Sequence, residues 1–225
     1  MSNASTRYHL GRGPLALLRE VSVFINCPFD AAYQPVFDAI IFSTLCCGFF
    51  PRCALETGTA AQSRIHRILA AMRDSKYSIH DLSSCCGEGQ LNLARFNMPL
   101  ELGMAMYQRF SSTRNEASHD WLVLVPKGHI YARFVSDLAG YDPTEYDGTA
   151  STVVPAVMSW LATRPDAVRT PTPQAVVTAL PVFIAARANL CTAWCDQVPW
   201  SDILIEGMRV AQKAGLIPDG VVEGP

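Results

Sequence analysis

Lysine is almost missing from this chain: 3 of its 225 residues are lysine against 15 arginines, and the formal net charge is −2. A near-neutral chain with so little lysine lacks the broad positive surface that nucleic acid requires, so no nucleic-acid partner is expected. Arginine suits discrete anion contacts instead, because its planar guanidinium engages carboxylate or phosphate oxygens in pairs. Paired Cys-x-x-Cys blocks are also lacking. The eight cysteines, Cys27, Cys46, Cys47, Cys53, Cys85, Cys86, Cys191 and Cys195, have no zinc-ligand spacing and follow no signal peptide. They predict reduced thiols, no metal and a cytoplasmic location. Cys46-x5-Arg52 has the bare spacing of a phosphatase loop, but here a helix precedes the cysteine and a strand carries the arginine, the reverse of what that loop needs. The apolar run from Ala175 to Ala186 is too short for a bilayer and contains Pro181, so no membrane segment is expected. There is no internal repeat. Ser2-Asn3-Ala4 reads as a cloning scar, and residues 1–18 carry little functional information.

What is present is an alternation of short apolar runs with helix-length segments. Val21 to Asn26 reads as a buried strand that opens into Cys27-Pro28-Phe29-Asp30. Tyr33 to Cys47 has helical periodicity closed by Gly48, and Phe49 to Leu55 is a second strand weakened by Pro51. Ala60 to Arg73 is an amphipathic helix with Ile65, Ile68, Leu69 and Met72 on one face. Tyr77 to Leu82 is a third strand, Asn97 to about Phe110 a helix, and Trp121 to Pro126 another strand. This pattern predicts an α/β fold, a parallel sheet with helices on both faces, over residues 19–140. Residues 141–225 read as a helical extension, with helices at Val153 to Leu161, Ala175 to Cys195 and Trp200 to Ala214, and serve as a cap or an oligomerisation surface.

Glu101 carries the chemistry. In Asn97-Met98-Pro99-Leu100-Glu101-Leu102-Gly103, Asn97 is placed to cap a helix, Pro99 leaves only an orphan amide position unfilled, and Glu101 falls in the first turn, where the helix dipole favours its charge. Gly103 beside it admits close backbone approach. Asp81 ends a strand, where open α/β sheets place ligand-binding groups, while His80, of opposite parity, faces the other way as a packed histidine. Arg52, Arg64, Arg67 and above all Arg95, next to the Asn97 helix start, are candidate phosphate ligands. Phe29 and Tyr33 are candidates to stack on a base.

Phe24-Ile25-Asn26-Cys27-Pro28-Phe29, Ile79-His80-Asp81-Leu82-Ser83 and Glu101-Leu102-Gly103-Met104-Ala105 together resemble the nucleoside 2-deoxyribosyltransferases and the related TIR-type NAD hydrolases, over roughly residues 20 to 140. Phe-Ile-Asn-Cys-Pro-Phe-Asp, Tyr-Ser-Ile-His-Asp-Leu-Ser and Arg-Phe-Asn-Met-Pro are similar to a group of bacterial TIR-like nucleotide-binding proteins. The resemblance implies a flavodoxin-like sheet and cleavage of an N-glycosidic bond in a nucleotide or NAD, the nucleotide being substrate and no cofactor being needed. Glu101 then matches the catalytic glutamate, Asp81 the strand-end sugar or base contact that is grouped with it as catalytic, and Asn26, Cys27, Pro28 and Phe29 the first nucleoside-binding loop, with Ser83, Arg95, Asn97 and Met98 also set against substrate. Pro99-Leu100 stands where the deoxyribosyltransferases usually carry Gly-Thr, and no residue near Gly224-Pro225 matches their C-terminal asparagine, so hydrolysis is favoured over base exchange. The chemistry is coherent on its own terms, since a carboxylate under the anomeric carbon stabilises or traps the ribosyl cation. Two other readings use the same residues: a noncatalytic nucleotide-sensing module, and an assembly domain active only as a homo-oligomer.

Overall fold

Five short segments rich in β-branched and aromatic residues pair in parallel: β1 (Ser22–Asn26), β2 (Phe50–Cys53), β3 (Tyr77–Asp81), β4 (Asp120–Pro126) and β5 (Thr144–Tyr146). The computed structural model describes residues 19–56, 61–85, 96–111, 119–128, 135–167 and 170–218. The sheet order is β2-β1-β3-β4-β5, all parallel, which is the flavodoxin-like order with its switch point between β1 and β3. β1 and β3 are buried at every position, as expected of strands covered on both faces. Pro51 is tolerated because β2 is an edge strand.

Among the described residues, six full helices cover this sheet: α1 (Gln34–Cys46), α2 (Arg64–Arg73), α3 (Asn97–Ser111), α4 (Ala150–Leu161), α5 (Pro173–Ala193) and α6 (Trp200–Lys213). Strand parity assigns the faces. Val23, Ile25, Tyr77, Ile79, Leu122 and Leu124 share a core with α1, α4, α5 and α6. Phe24 meets Ile68 and Met72 of α2 and Ala105 of α3, while Val123 and Val125 meet Met98 and Leu102 of α3. α1 is buried at every residue from Val36 to Cys46, because α4, α5 and α6 pack on it from outside; a helix apolar all round needs such a place. Gly48, at φ 83°, ends it: the Gly48 and Phe49 amides bond back to the Leu45 and Thr44 carbonyls.

Several expectations change. The inner face of α2 is Ile68, Ala71 and Met72, and Ile65 and Leu69 are exposed. β5 lies beyond residue 140, and α4 to α6 share the main core with the strands. α5 runs unbroken through Pro181 for 21 residues and is the one described helix long and apolar enough to cross a membrane, with mean hydropathy 1.6. The helix has the length expected from Ala175 to Cys195, but its apolar stretch is longer than the Ala175 to Ala186 run. One face is nonetheless a packing face: Phe183 stacks on Phe42 at 5.1 Å, and Arg187 pairs with buried Asp38 of α1.

Candidate functional site

At the carboxyl end of β1 the chain turns through Asn26, Cys27, Pro28, Phe29 and Asp30 toward α1. That turn, the start of α2 at Arg64 and the first turns of α3 at Asn97, Met98 and Glu101 enclose a cavity of about 190 Å³. It opens beside the β1/β3 switch point, where an open parallel sheet leaves a crevice. Seven of the residues expected at a site, Asn26, Cys27, Pro28, Phe29, Asn97, Met98 and Glu101, line this single cavity. Arg95 lies outside the described residues.

Glu101 is 7% exposed, and among the described residues no hydrogen bond or ion pair reaches its carboxyl. Burial pushes its pKa up to about 7, against a smaller pull downward from the Arg64 guanidinium. The dipole account of this residue is corrected by the helix start. The Leu100 amide already bonds to the Phe96 carbonyl at 3.1 Å, so Asn97 is the first helical residue rather than the cap. Glu101 falls in the second turn, beyond the reach of the dipole. Gly103 is exposed, and a Cβ built on it would meet nothing within 4 Å, so it serves no close approach.

Asn26 is fixed from the other side of the cavity. Its Nδ2 donates to the Met98 carbonyl at 3.0 Å and lies 3.0 Å from His80 Nδ1. His80 is fully buried and hydrogen-bonded, as its strand parity predicts. Burial, and then neighbouring His119, depress its pKa to about 3.

Asp81 stands apart from this cavity. It points to the α1 face of the sheet, whereas Glu101 belongs to the α3 face. Its Oδ2 accepts bonds from Tyr33 Oη at 2.7 Å and Tyr146 Oη at 2.5 Å, and its Oδ1 accepts one from the Ser83 amide at 2.7 Å. The side chain has no exposed surface. Burial raises its pKa, and the hydrogen bonds it accepts oppose that rise. Asp81 ties β3 to β5 and α1, Ser83 serves that clamp through its amide, and neither lines the cavity. Tyr33 is likewise committed to Asp81, leaving Phe29, edge-on to Phe37 at 5.3 Å, as the aromatic at the cavity.

Of the candidate arginines, Arg64 borders the cavity, while Arg52 is held by Glu56 at 2.7 Å elsewhere. Arg67 is half-buried, and its Nε has no partner among the described residues. The site gains one residue that sequence reasoning left out, Asp30, whose signal was its position at the end of the Cys27-Pro28-Phe29-Asp30 turn. The described thiols are free; Cys27, beneath the cavity, has its pKa raised by burial and then by the charges of Asp81, Cys53 and Glu101. Comparison of the chain with protein-family models, with curated proteins and with solved structures finds no match. The fold and the geometry therefore define the protein as a flavodoxin-like α/β protein with an acid-bearing cavity at its switch point.

Proposed function

We propose that the protein cleaves the N-glycosidic bond of a nucleotide, with NAD as the favoured class of substrate. The observation that carries the reading is Glu101: a nearly buried carboxyl with no hydrogen-bond partner among the described residues, lining a cavity at the switch point. Such a group destabilises its own site, and perturbed acids of this kind concentrate where chemistry is done. The cavity is smaller than the ~300–1,000 Å³ of ordinary ligand pockets, which suits a sugar ring with the rest of the ligand outside.

In the reaction the C1′–N bond breaks with its electron pair leaving on the base, and positive charge grows on the sugar. Ionised Glu101 beneath C1′ stabilises that charge or bonds to it; water then supplies hydroxide to C1′ and its proton passes to solvent. Asp81, locked among Tyr33, Tyr146 and Ser83, is not placed to protonate a leaving base. A leaving group that departs neutral without a proton, as nicotinamide does from NAD, is therefore preferred. Arg64, at the rim, is placed for a phosphate.

The test is to incubate the protein with NAD and a nucleotide panel and to follow released base. Glu101→Gln keeps the shape and removes the charge, so it should lower turnover by on the order of a hundredfold or more. Parental turnover by folded Glu101→Gln protein would end the catalytic reading. In the parent, kcat/KM should rise as pH passes through about 7 and Glu101 ionises; a profile flat across that range would count against Glu101 as the ionised group.

A further inference from the structure

A chain of buried polar groups runs under α3 from the cavity toward the amino ends of the strands. Asn26 Nδ2 lies 3.0 Å from His80 Nδ1, His80 Nε2 lies 2.8 Å from Ser78 Oγ, Ser78 Oγ lies 2.8 Å from His119 Nε2, and His119 Nδ1 lies 3.0 Å from the Ser75 carbonyl. Asn26 is 3% exposed, and Ser78, His80 and His119 have no exposed surface. None of the last three touches the cavity. Their protons can be arranged in one way only, because each end of the chain is a main-chain carbonyl that can only accept.

From the far end, the Ser75 carbonyl requires His119 to carry its proton on Nδ1. The Gln108 amide also approaches this nitrogen, at 3.4 Å, but it has the Met72 carbonyl as an alternative acceptor at 3.5 Å, and the 3.0 Å carbonyl contact dominates. His119 Nε2 then accepts from the Ser78 hydroxyl, which must itself accept from His80 Nε2–H. His80 Nδ1 is left as an acceptor, so Asn26 must present its NH₂ group there. From the near end, the Met98 carbonyl at 3.0 Å makes the same demand. A flipped amide would set Asn26 Oδ1 against that carbonyl oxygen and against no donor on His80. Both amide hydrogens are thus spent inside the protein, and Asn26 Oδ1, which takes no bond among the described residues, is held as an acceptor at the cavity.

We infer that Asn26 is a specificity-determining residue whose locked Oδ1 selects a ligand presenting a sugar hydroxyl, so that the substrates are ribosyl compounds whose 2′- or 3′-hydroxyl donates to it. This rests on the glycosidase reading for the identity of the ligand as a sugar. Ser78, His80 and His119 are positioning residues that act through Asn26 and touch no substrate. A site that commits a buried acceptor to a substrate hydroxyl rejects the analogue lacking it, because the acceptor is then left without a partner.

The experiment has three readouts. In the unaltered protein, ¹⁵N NMR of the imidazoles should find His80 as the Nε2–H tautomer and His119 as the Nδ1–H tautomer; the opposite tautomer at either ring overturns the lock, whatever the protein does. Binding is measured on Glu101→Gln protein, which does not consume its ligand, with NAD and with NAD lacking the 2′- or the 3′-hydroxyl of the nicotinamide ribose. Loss of one of the two should weaken binding by about tenfold or more. In Ser78→Ala, checked for a parental melt, the chain is cut and the discrimination should fall to about threefold or less. Equal binding of all three compounds overturns the inference, and full discrimination surviving in Ser78→Ala overturns the positioning role of Ser78, His80 and His119, the Met98 carbonyl alone then orienting Asn26. Cleavage of NAD by the parent without hydroxyl discrimination would sink this inference alone, discriminating binding without any cleavage would sink the glycosidase reading alone, and no binding of NAD would sink both.

Discussion

Glu101 has its pKa raised from 4.5 to about 7, with burial as the leading cause, and this has a consequence for stability as well as for catalysis. The fold holds the neutral acid better than the ion. The folded protein therefore binds this proton more tightly than the unfolded chain does, and the stabilisation is whole below pH 4.5 and lost as pH rises through about 7. Glutamine resembles the neutral acid at every pH. Glu101→Gln should accordingly melt higher than the parent at about pH 8, by an amount on the order of 1–3 kcal/mol, and like the parent at about pH 4.5. Thermal melts at the two pH values make the measurement. A variant that melts lower at the higher pH would mean that the carboxylate is a stabilising charge, as a helix-dipole partner would be, and would remove the reason for regarding it as functional. A group that destabilises its own site while facing a cavity is the stability–function conflict expected where a residue is kept for chemistry.

At the scale of elements, two helical glycines separate packing from propensity. In α6, a Cβ on Gly207 would sit 2.6 Å from Leu45 Cδ1 and 3.2 Å from Phe183 Cε2, so this glycine lets α6 lie against α1 and α5. Gly207→Ala should destabilise by about 1–3 kcal/mol through overpacking, against the roughly 1 kcal/mol that alanine gains in helix propensity. Gly103 of α3 meets nothing within 4 Å, so Gly103→Ala should stabilise by up to about 1 kcal/mol and leave the cavity unchanged. Denaturant melts of both variants give the comparison, and equal signs would mean that the α6 contact yields without cost. The elements themselves were legible wherever burial imposed a pattern: β1 and β4 carry apolar runs because both faces are covered, β3 alternates Tyr77 and Ile79 with the buried polar Ser78 and His80, and β2 showed through despite Pro51. β5 was not, since Thr144–Tyr146 is three residues long and shows no period. The range of α3 was legible, but its cap was misplaced by one residue, because Asn97 is the better cap by propensity, whereas the first helical bond is to Phe96. The cavity was legible through two local motifs, the Asn26 to Phe29 turn and the Asn97 to Glu101 helix start. The clamp on Asp81 and the buried relay were not, because Tyr146 is 65 residues from Asp81 and His119 is 41 from Ser78, separations that no local pattern encodes.

In the molecule as a whole, α5 and α6 pack outside α1 on one face of the sheet, and among the described residues their apolar contact with it is supplemented by the Trp200 Nε1 bond to the Pro51 carbonyl at 3.2 Å and by one buried ion pair. Asp38 of α1 and Arg187 of α5, 149 residues apart, are 3% and 8% exposed and bonded to each other, with Gln34 also donating to Asp38 at 2.9 Å. Burial nonetheless raises Asp38 to about 6, outweighing the Arg187 charge and hydrogen bond that pull it down. Its folded value lies above the ordinary 3.8, so the contribution of this group to stability is whole below about pH 3.8 and is lost as pH rises through about 6. The pair is thus no net source of strength at neutral pH, yet neither member can be spared singly. Arg187→Met leaves a carboxylate buried in an apolar layer and should cost about 3–5 kcal/mol at about pH 8, but less at about pH 5, where Asp38 takes up a proton. The double variant Asp38→Leu with Arg187→Met removes both charges and should recover most of that loss, melting within about 1–2 kcal/mol of the parent. Chemical denaturation of the parent, both single variants and the double variant at the two pH values closes the cycle. A double variant no more stable than Arg187→Met would mean that the ion pair itself, and not the cost of orphaning one charge, fastens the C-terminal helices to the sheet.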